Sequence, residues 1–437
     1  MTMRSRSKQA RWRGRAVSAA FGILLASLAV TPAHADTIRE RQWYLDAMHA
    51  EQMWKTSTGK GITVAVIDTG VQADIPDLRG QVVAGKDFSK RAGDERSDYD
   101  GHGTGMAVLI AGTGGRGATT GSYGLAPGAK IMPIRIAGFI ERNRTDGNQD
   151  DFPTSVAKAI RFAADSDAQI INISQGSTEN SRELTEAVAY ALSKGKLIFA
   201  AVGNDGDTVN EVNYPAATPG VVGVGAIDRN VKATKESEHG SQVDVVAPGE
   251  DIISACLESK SGVCDSHGTS DASALASASA ALIWSKHPSW TNNQVLRVML
   301  NTASKPTSGK ERTDYIGYGA VRPRIALTDP GDPGPADVYP LPDFKQAVSK
   351  APNGSATASA KVGSSPSPAA SASGSGGSAL PWILGGAGVV VVAGGALAAG
   401  AVRRRRRAAA VAQAQVAMPP GPGQTPWYGD SNYGGRP

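Results

Sequence analysis

Short apolar runs alternate with amphipathic stretches through the middle of this chain, from residue 61 to residue 327. The apolar runs are hydrophobic on both alternating faces, which is typical of strands covered by helices on both sides. They comprise residues 62–67, 130–136, 169–174, 196–202, 221–227 and 243–247. Helical periodicity lies between them, for example at 154–165 and 181–194. This alternation predicts an α/β fold, a three-layer sandwich with a mainly parallel central sheet.

Both ends of the chain carry targeting patterns. Residues 1–35 begin with basic residues, continue with an apolar run at 16–30 and end in Ala33-His34-Ala35, the order of a secretory signal peptide. Residues 380–402 contain no charged side chain, and a helix there would span roughly 34 Å at ~1.5 Å per residue, enough for a bilayer core. The sequence predicts cleavage after Ala35, export, and anchoring by one C-terminal transmembrane helix.

The remaining segments follow from these two ends. Five arginines come directly after the predicted membrane helix, so the positive-inside rule places the tail at 403–437 in the cytoplasm and the large N-terminal part outside the cell membrane. Residues 328–379 are rich in Pro, Ser, Ala and Gly and are predicted to form a linker. Residues 61–327 then form the folded domain, and 36–60 is either an extension packed on it or the remnant of a propeptide.

The charge of the chain is concentrated at its ends. Its 437 residues include 45 Lys and Arg against 40 Asp and Glu, a formal net charge of +5. Eleven of these basic residues lie before residue 16 or at 403–407, and without them 34 basic residues face 40 acidic ones, a net charge of −6. Since neither cluster lies on the predicted domain, no nucleic acid partner is expected. The two cysteines exclude a disulfide-rich scaffold.

Three distant side chains stand where the chemistry of a parallel sheet gathers, beyond the carboxyl ends of its strands. Asp68 ends the first apolar run in VIDTG, His102 lies between two glycines in DGHGT, and Ser270 opens an apolar helix in HGTSDAS. Alone, an Asp after a strand is often a turn former, and a Ser at a helix start is often a cap. Together they supply a nucleophile, a base and a carboxylate that orients the base. Their chain order is one of those known for this triad.

A fourth polar residue supports the same chemistry. Asn204 follows an apolar run in AAVGNDG. A side-chain amide there can donate to the oxyanion of a tetrahedral intermediate, which contributes roughly 10²–10³ in turnover. The alternative is an Asn in a glycine turn.

These motifs resemble the subtilase family of serine endopeptidases in their order and distances. The similarity covers about 61–320 and includes INIS at 171–174 and DVVAPG at 244–249. It implies a subtilisin-like fold, with Asp68, His102 and Ser270 as the catalytic triad and Asn204 as the oxyanion donor. It also implies a substrate-binding edge that pairs with the peptide backbone, formed by Ser174, Gln175 and Gly176.

The signal peptide, the linker and the membrane helix followed by arginines further resemble the mycosins, membrane-anchored subtilases of actinobacterial type VII secretion systems. This resemblance implies a protein or peptide substrate and contacts with subunits of a secretion channel. The alternative is a scaffold subunit whose fold stabilises such a channel while its proteolysis is dispensable. The predicted anchor argues against a free secreted digestive protease.

Two residues depart from the family pattern. Ala274 stands where the family usually has Pro, and Asp271 directly follows Ser270 where the family usually has an apolar residue. A carboxylate at 271 either repels the oxyanion or caps the helix, and the sequence does not decide between these. His267 is the rival base, although a tight turn rarely aims residues three apart at each other.

No cofactor and no metal are predicted. GTGGRG at 112–117 follows a helical run rather than a strand, which argues against a dinucleotide loop. Acidic residues that could bind calcium are expected instead to lie in solvated loops; they are Asp94, Glu95, Asp98, Asp100, Asp146, Asp150 and Asp151. The polar stretch 141–151 is expected to flank the cleft. Cys256 and Cys264 are expected to form a disulfide in an exported protein, with two free thiols as the alternative.

Overall fold

A computed structural model describes residues 36–138, 151–257, 259 and 262–344, and the fold is stated for these residues. Its centre is a sheet of seven strands in the order β2-β3-β1-β4-β5-β6-β7, and every pairing is parallel. The strands are β1 (Thr63–Asp68), β2 (Lys86–Asp87), β3 (Lys130–Arg135), β4 (Ile170–Ile173), β5 (Leu197–Ala201), β6 (Val222–Ile227) and β7 (Val245–Pro248). The α/β architecture with a parallel central sheet is as predicted.

Nine α-helices surround the sheet among the described residues. They are α1 (Ile38–Arg41), α2 (Trp43–Ala47), α3 (Ala50–Trp54), α4 (His102–Ala111), α5 (Phe152–Ala164), α6 (Arg182–Ser193), α7 (Thr269–Lys286), α8 (Asn292–Thr302) and α9 (Pro323–Thr328). Helix α4 packs on α7, and α5 packs on α6, each pair also contacting the sheet. Because β4, β5 and β6 are buried throughout, the two pairs cover opposite faces and give the predicted three layers.

Local signals account for the helix ends. Thr291 accepts from the backbone N–H of Gln294, whose side chain accepts from the N–H of Thr291, so the predicted capping box opens α8. At α5 the cap is a single bond, since the Asp151 side chain accepts from the backbone N–H of Thr154. Helix α7 is buried almost all round, and its many Ala and Ser residues allow neighbouring elements to approach closely. The rest of the polar stretch at 141–151 lies outside the described residues.

Residues 36–60 pack on the domain. Tyr44 and Leu45 are fully buried, and the Tyr44 hydroxyl donates to the carbonyl oxygen of Ile253 at 2.9 Å. Ile253 belongs to a two-stranded antiparallel hairpin, β8 (Ile252–Ala255) and β9 (Val263–Ser266), that leads into α7. No residue of 36–60 is among those that line the cleft described below. The segment therefore contributes to the core near α7, the helix that carries Ser270.

The linker prediction was wrong at its N-terminal boundary. Tyr339 and Leu341 are buried, and the Tyr339 hydroxyl donates to the carbonyl oxygen of Gly220 at 2.5 Å. Arg297 also holds this segment by donating to the carbonyl oxygen of Pro333 at 2.8 Å. The few large apolar residues in a Pro-rich stretch suffice here because the domain supplies the complementary surface. The chain thus stays on the domain through residue 344 rather than leaving it at 328.

The predicted targeting and anchoring segments fall outside the described residues. These are 1–35, the linker beyond residue 344, 380–402 and 403–437. Within the ranges that the structure covers, none of the helices combines the length and the apolar character needed to cross a bilayer.

Candidate active site

The polar residues selected from the sequence meet at the carboxyl edge of the sheet. Asp68 is the last residue of β1, His102 is the first of α4, and Ser270 lies in the first turn of α7. Ser174 directly follows β4, and Asn204 comes shortly after β5. Since parallel strands end at a common edge, residues far apart in sequence share one site.

Asp68 and His102 form a close pair. His102 Nδ1 lies 2.8 Å from Asp68 Oδ1, and the Asp68 side chain is fully buried while 32% of the His102 side chain stays exposed. Burial opposes the protonation of His102, but the charge and hydrogen bond of Asp68 outweigh it and raise the pKa of His102 to about 9. Burial likewise opposes ionisation of Asp68, yet His102 and other donors leave its pKa below the usual value. The pair therefore holds an imidazolium against a carboxylate.

Two further donors fix the Asp68 carboxylate. The backbone N–H of Thr69 donates to Oδ1 at 2.8 Å, and the side-chain amide of Gln175 donates to the same oxygen at 3.1 Å. Gln175 was expected only at the substrate-binding edge. Its contact with Asp68 joins residues 107 positions apart, and no local sequence pattern could have indicated it.

Ser270 and Ser174 exchange hydrogen bonds. The Ser270 hydroxyl donates to the carbonyl oxygen of Ser174 at 2.9 Å, and the Ser174 hydroxyl donates to the carbonyl oxygen of Ser270 at 3.0 Å. Among the described residues, the Ser270 hydroxyl thus bonds to the Ser174 carbonyl oxygen, and no hydrogen bond joins this hydroxyl to His102. This arrangement fits a protonated imidazole, which can only donate.

The buried side-chain amide of Asn172 lies next to Ser174 and is hydrogen-bonded to it. Asn172 donates to the Ser174 hydroxyl at 3.0 Å, and its Oδ1 accepts from Ser273 at 2.9 Å and from Ser277 at 3.0 Å. Both serines project from α7, so the network ties the end of β4 to the helix that carries Ser270. The motif INIS contains this Asn, but only the structure gives it its partners.

Asn204 is oriented by the start of α7. Its Oδ1 accepts from the backbone N–H of Thr269 at 2.9 Å and from the Thr269 hydroxyl at 3.0 Å. The Nδ2 donor of Asn204 is therefore turned away from Thr269. Among the described residues, Nδ2 has no hydrogen-bond acceptor. Gly268 has φ 126 and leaves the room that Asn204 needs, because a Cβ there would lie 3.0 Å from Oδ1. The first N–H groups of α7 lie at the same place.

One cleft of about 420 Å³ joins these residues. His102, Ser174, Gln175, Asn204 and Ser270 line it, with Gly176 at its wall. A second depression of about 230 Å³ adjoins it on the side of His102 and reaches the β8–β9 hairpin. The arrangement can hold a peptide across Ser270, with donors for a developing oxyanion on one side and the imidazole on the other.

The rival base lies elsewhere. His267 is 72% exposed, its Nδ1 lies 3.1 Å from Glu236 Oε1, and it does not line the cleft. Asp271 is fully buried, and its Oδ2 accepts from the Ser266 hydroxyl at 2.7 Å. Asp271 thus does not cap α7, whose N-cap residue is Gly268. Ala274, the other departure, is fully buried in the same helix.

The two cysteines are bonded to each other beside the turn end of the β8–β9 hairpin, where Ala255 pairs with Val263. The sulfur atoms of Cys256 and Cys264 are 2.08 Å apart. The bridge closes the turn of the hairpin that precedes Ser270, and both residues line the second depression.

The acidic residues before His102 were expected in solvated loops, which is wrong for Asp98, because its side chain is buried and bonded to neighbouring hydroxyls. Asp98 accepts from the hydroxyls of Thr69 at 2.8 Å and Thr104 at 2.6 Å. Asp94 accepts from Ser97 at 3.0 Å. In the part of the chain that the structure describes, no group of three or more His, Cys, Asp or Glu residues is arranged to hold a metal ion; Asp146 and Asp150 lie outside it.

Comparison with known proteins identifies relatives of this chain. The model of the subtilase family, Peptidase_S8, matches residues 59–320. Thermitase from Thermoactinomyces vulgaris is 36% identical over 265 residues, which cover 61% of this chain and 89% of thermitase.

Solved protein structures are also similar to this chain. The crystal structure of MycP1 from Mycobacterium smegmatis matches with a TM-score of 0.60 and 29% identity, covering 71% of this chain and 90% of MycP1. A structure of the periplasmic assembly from the ESX-5 inner membrane complex matches with a TM-score of 0.58 and 27% identity, covering 77% of this chain and 92% of the matched one.

Proposed function

Because this chain belongs to the subtilase family of serine proteases, we propose that it hydrolyses peptide bonds as an endopeptidase through an acyl-enzyme on Ser270. The observation that carries the proposal is the 2.8 Å contact between His102 and Asp68 in the cleft that Ser270 and Asn204 also line. His102, once neutral, takes the proton of Ser270 and returns it to the leaving amine. Asp68 holds the ring, and Asn204 donates to the oxyanion.

We also propose that the peptidase is anchored to the membrane and works with a type VII secretion system. In this proposal 1–35 is a signal peptide, 380–402 crosses the membrane, 403–437 is cytoplasmic and the folded domain lies outside. The support is the order of charged and apolar segments in the sequence. Similarity to MycP1 and to a chain of the ESX-5 inner membrane complex supports the association.

A serine-directed fluorophosphonate tests the catalytic part. The exported protein is expected to be labelled at Ser270, and Ser270→Ala is expected to lose the label because the proposed nucleophile is gone. Ser279→Ala is the matched control, since this serine is also buried in α7 and its hydroxyl donates to the carbonyl oxygen of Leu275 at 2.8 Å, away from the cleft. Labelling that persists in Ser270→Ala, or a wild type that never labels between pH 7 and 10, would refute the proposed nucleophile.

A scaffold role is the second candidate, favoured by the similarity to a chain of a periplasmic assembly. Cells that carry Ser270→Ala are compared with cells that lack the whole chain. Secretion retained by the first and lost in the second supports a scaffold whose proteolysis is dispensable. New N-termini among exported proteins that require Ser270 identify substrates and support the peptidase.

A further inference from the structure

Gly176, Gly203 and Asn213 line one part of the cleft together with Asn204, and we call this part the Asn213 recess. The Asn213 side chain lies between the two glycines. A Cβ at Gly176 would come 3.3 Å from Asn213 Oδ1, and one at Gly203 would come 2.6 Å from Asn213 Nδ2. The absence of side chains on both glycines therefore leaves the amide accessible from the cleft.

The orientation of the Asn213 amide is fixed by its partners. Nδ2 donates to Glu238 Oε1 at 2.6 Å and to the carbonyl oxygen of Glu211 at 3.2 Å. A carbonyl oxygen can only accept, so the amide nitrogen must face Glu211. Oδ1 therefore faces the recess as an acceptor, and no described residue donates a hydrogen bond to it.

A buried carboxyl group lies behind this amide. Glu238 is fully buried, its Oε2 has no hydrogen-bond partner, and no salt bridge reaches it from the residues that the structure describes. Burial, with the nearby Asp205 and Glu211, raises the pKa of Glu238 to about 7. Asp205 also lines the cleft, and the lining contains no Lys or Arg. The recess thus combines an outward acceptor with the Asp205 carboxylate and with a Glu238 carboxyl group that is ionised above pH 7 and has no salt bridge among the described residues, which favours a cation with N–H donors.

The position of the recess tells which substrate residue it receives. The leaving amine takes its proton from His102 and so lies on the side of that residue, where the second depression of about 230 Å³ begins. That depression does not contain Asn204 or Asn213. The recess adjoins Asn204, the candidate oxyanion donor, and therefore lies on the acyl side of the scissile bond.

We propose that the Asn213 recess selects lysine or arginine at the substrate residue whose carbonyl carbon Ser270 attacks. The inference rests on the proposed peptidase function and adds its substrate class. The ammonium or guanidinium group donates to Asn213 Oδ1, and Glu238 and Asp205 supply the opposing charge.

The test uses fluorogenic peptides that differ only in the residue before the scissile bond, which is Lys, Met or Glu. The expected kcat/KM is at least about tenfold higher for Lys than for Met, whose chain is also unbranched, and lowest for Glu. Glu238→Gln keeps an acceptor for Asn213 but removes the charge, and is expected to lower the Lys-to-Met ratio about tenfold. Glu236→Gln, which removes a carboxylate outside the cleft, is the matched control and should keep the ratio.

A second variant and fluorophosphonate labelling distinguish failure of the recess proposal from failure of the peptidase proposal. Asp205→Asn removes the exposed carboxylate that lines the cleft and is expected to lower the Lys-to-Met ratio, even where Glu238→Gln fails to fold. Fluorophosphonate labelling of Ser270 does not depend on the recess. A wild type that is not labelled overturns the peptidase proposal. A labelled wild type that prefers Met to Lys, or a Lys-to-Met ratio that Asp205→Asn leaves unchanged, overturns the recess proposal alone.

Discussion

Asp271 is one of the two residues at which this chain departs from the family pattern, and the substitution Asp271→Asn removes its charge while keeping its size. The side chain is fully buried beside Ser270, Oδ2 accepts from Ser266 at 2.7 Å, and Oδ1 has no hydrogen-bond partner among the described residues. Burial raises the pKa of Asp271 to about 6, so the group is ionised at neutral pH. Asparagine keeps an oxygen for Ser266 and removes only the charge.

The effect on activity follows from His102. Burial lowers the pKa of His102, but Asp68 raises it more strongly, and Asp271 and Asp100 add to this, so that the pKa reaches about 9. Only a neutral imidazole can accept the Ser270 proton. With a pKa of about 9, roughly 1% of the His102 side chains are neutral at pH 7. Loss of one neighbouring carboxylate is expected to lower the pKa by about one unit, or about 1.4 kcal/mol. Asp271→Asn should therefore raise kcat/KM at pH 7 by about tenfold.

The pH profile of kcat/KM measures this shift. Between pH 5 and 10.5 the acid limb of Asp271→Asn should lie about one unit below that of the wild type, and the two plateaus should agree. Asp251→Asn is the matched control, because Asp251 is 67% exposed and its left-handed backbone suits asparagine. An acid limb that stays in place, or moves to higher pH, would show that Asp271 does not act on His102.

The same substitution has a consequence for stability. The pKa of Asp271 rises from 3.8 in an unfolded chain to about 6 in the folded one, so the unfolded state loses its proton first and stability falls as pH rises through this range. The ionised group costs roughly 3 kcal/mol above pH 6. In urea denaturation, the free energy of unfolding of Asp271→Asn should exceed that of the wild type by up to roughly 3 kcal/mol at pH 7 and by little at pH 4. A variant less stable than the wild type at pH 7 would contradict this.

Three further predictions concern the neighbouring residues. Asn204→Ala should lower kcat by roughly 10²–10³ with little change in KM in steady-state kinetics, because an oxyanion donor is lost; an effect confined to KM would contradict it. Gln175→Leu should lower kcat about tenfold, because Asp68 loses the donor that helps to hold it, and an unchanged kcat would count against that role. Replacing Cys256 and Cys264 by Ser should lower the free energy of unfolding by roughly 2 kcal/mol, and equal urea midpoints would refute it.

The sheet and the meeting of Asp68, His102 and Ser270 could be predicted because each depends on a local pattern. Apolar runs mark the strands, and the polar residue that ends a run must lie at the carboxyl edge. The capping box at Thr291 is equally local. Such signals need no knowledge of which distant residues touch.

Other features depend on contacts across the fold, and the sequence could not supply them. Gln175 reaches Asp68, and Asn213 reaches Glu238, only because separate loops meet at the sheet edge. The burial of Tyr339 and Leu341 could not be inferred from the Pro-rich composition around them, because it depends on the surface they meet. Composition predicts whether a segment can fold alone, not whether a neighbouring domain will hold it.

The hydrogen bonds of Ser270 connect the electrostatics of the site to its resting geometry. An imidazolium at His102 has no lone pair to offer, so the Ser270 hydroxyl donates to the carbonyl oxygen of Ser174 instead. Turning it toward a neutral His102 exchanges one neutral hydrogen bond for another, a step of about 1 kcal/mol or less. The hydrogen bond from the Ser174 hydroxyl to the Ser270 carbonyl oxygen can remain while the Ser270 hydroxyl rotates, and it holds the start of α7 in place. In the proposed mechanism, loss of the His102 proton therefore controls when Ser270 acts as the nucleophile, and the buried charge of Asp271 opposes that loss.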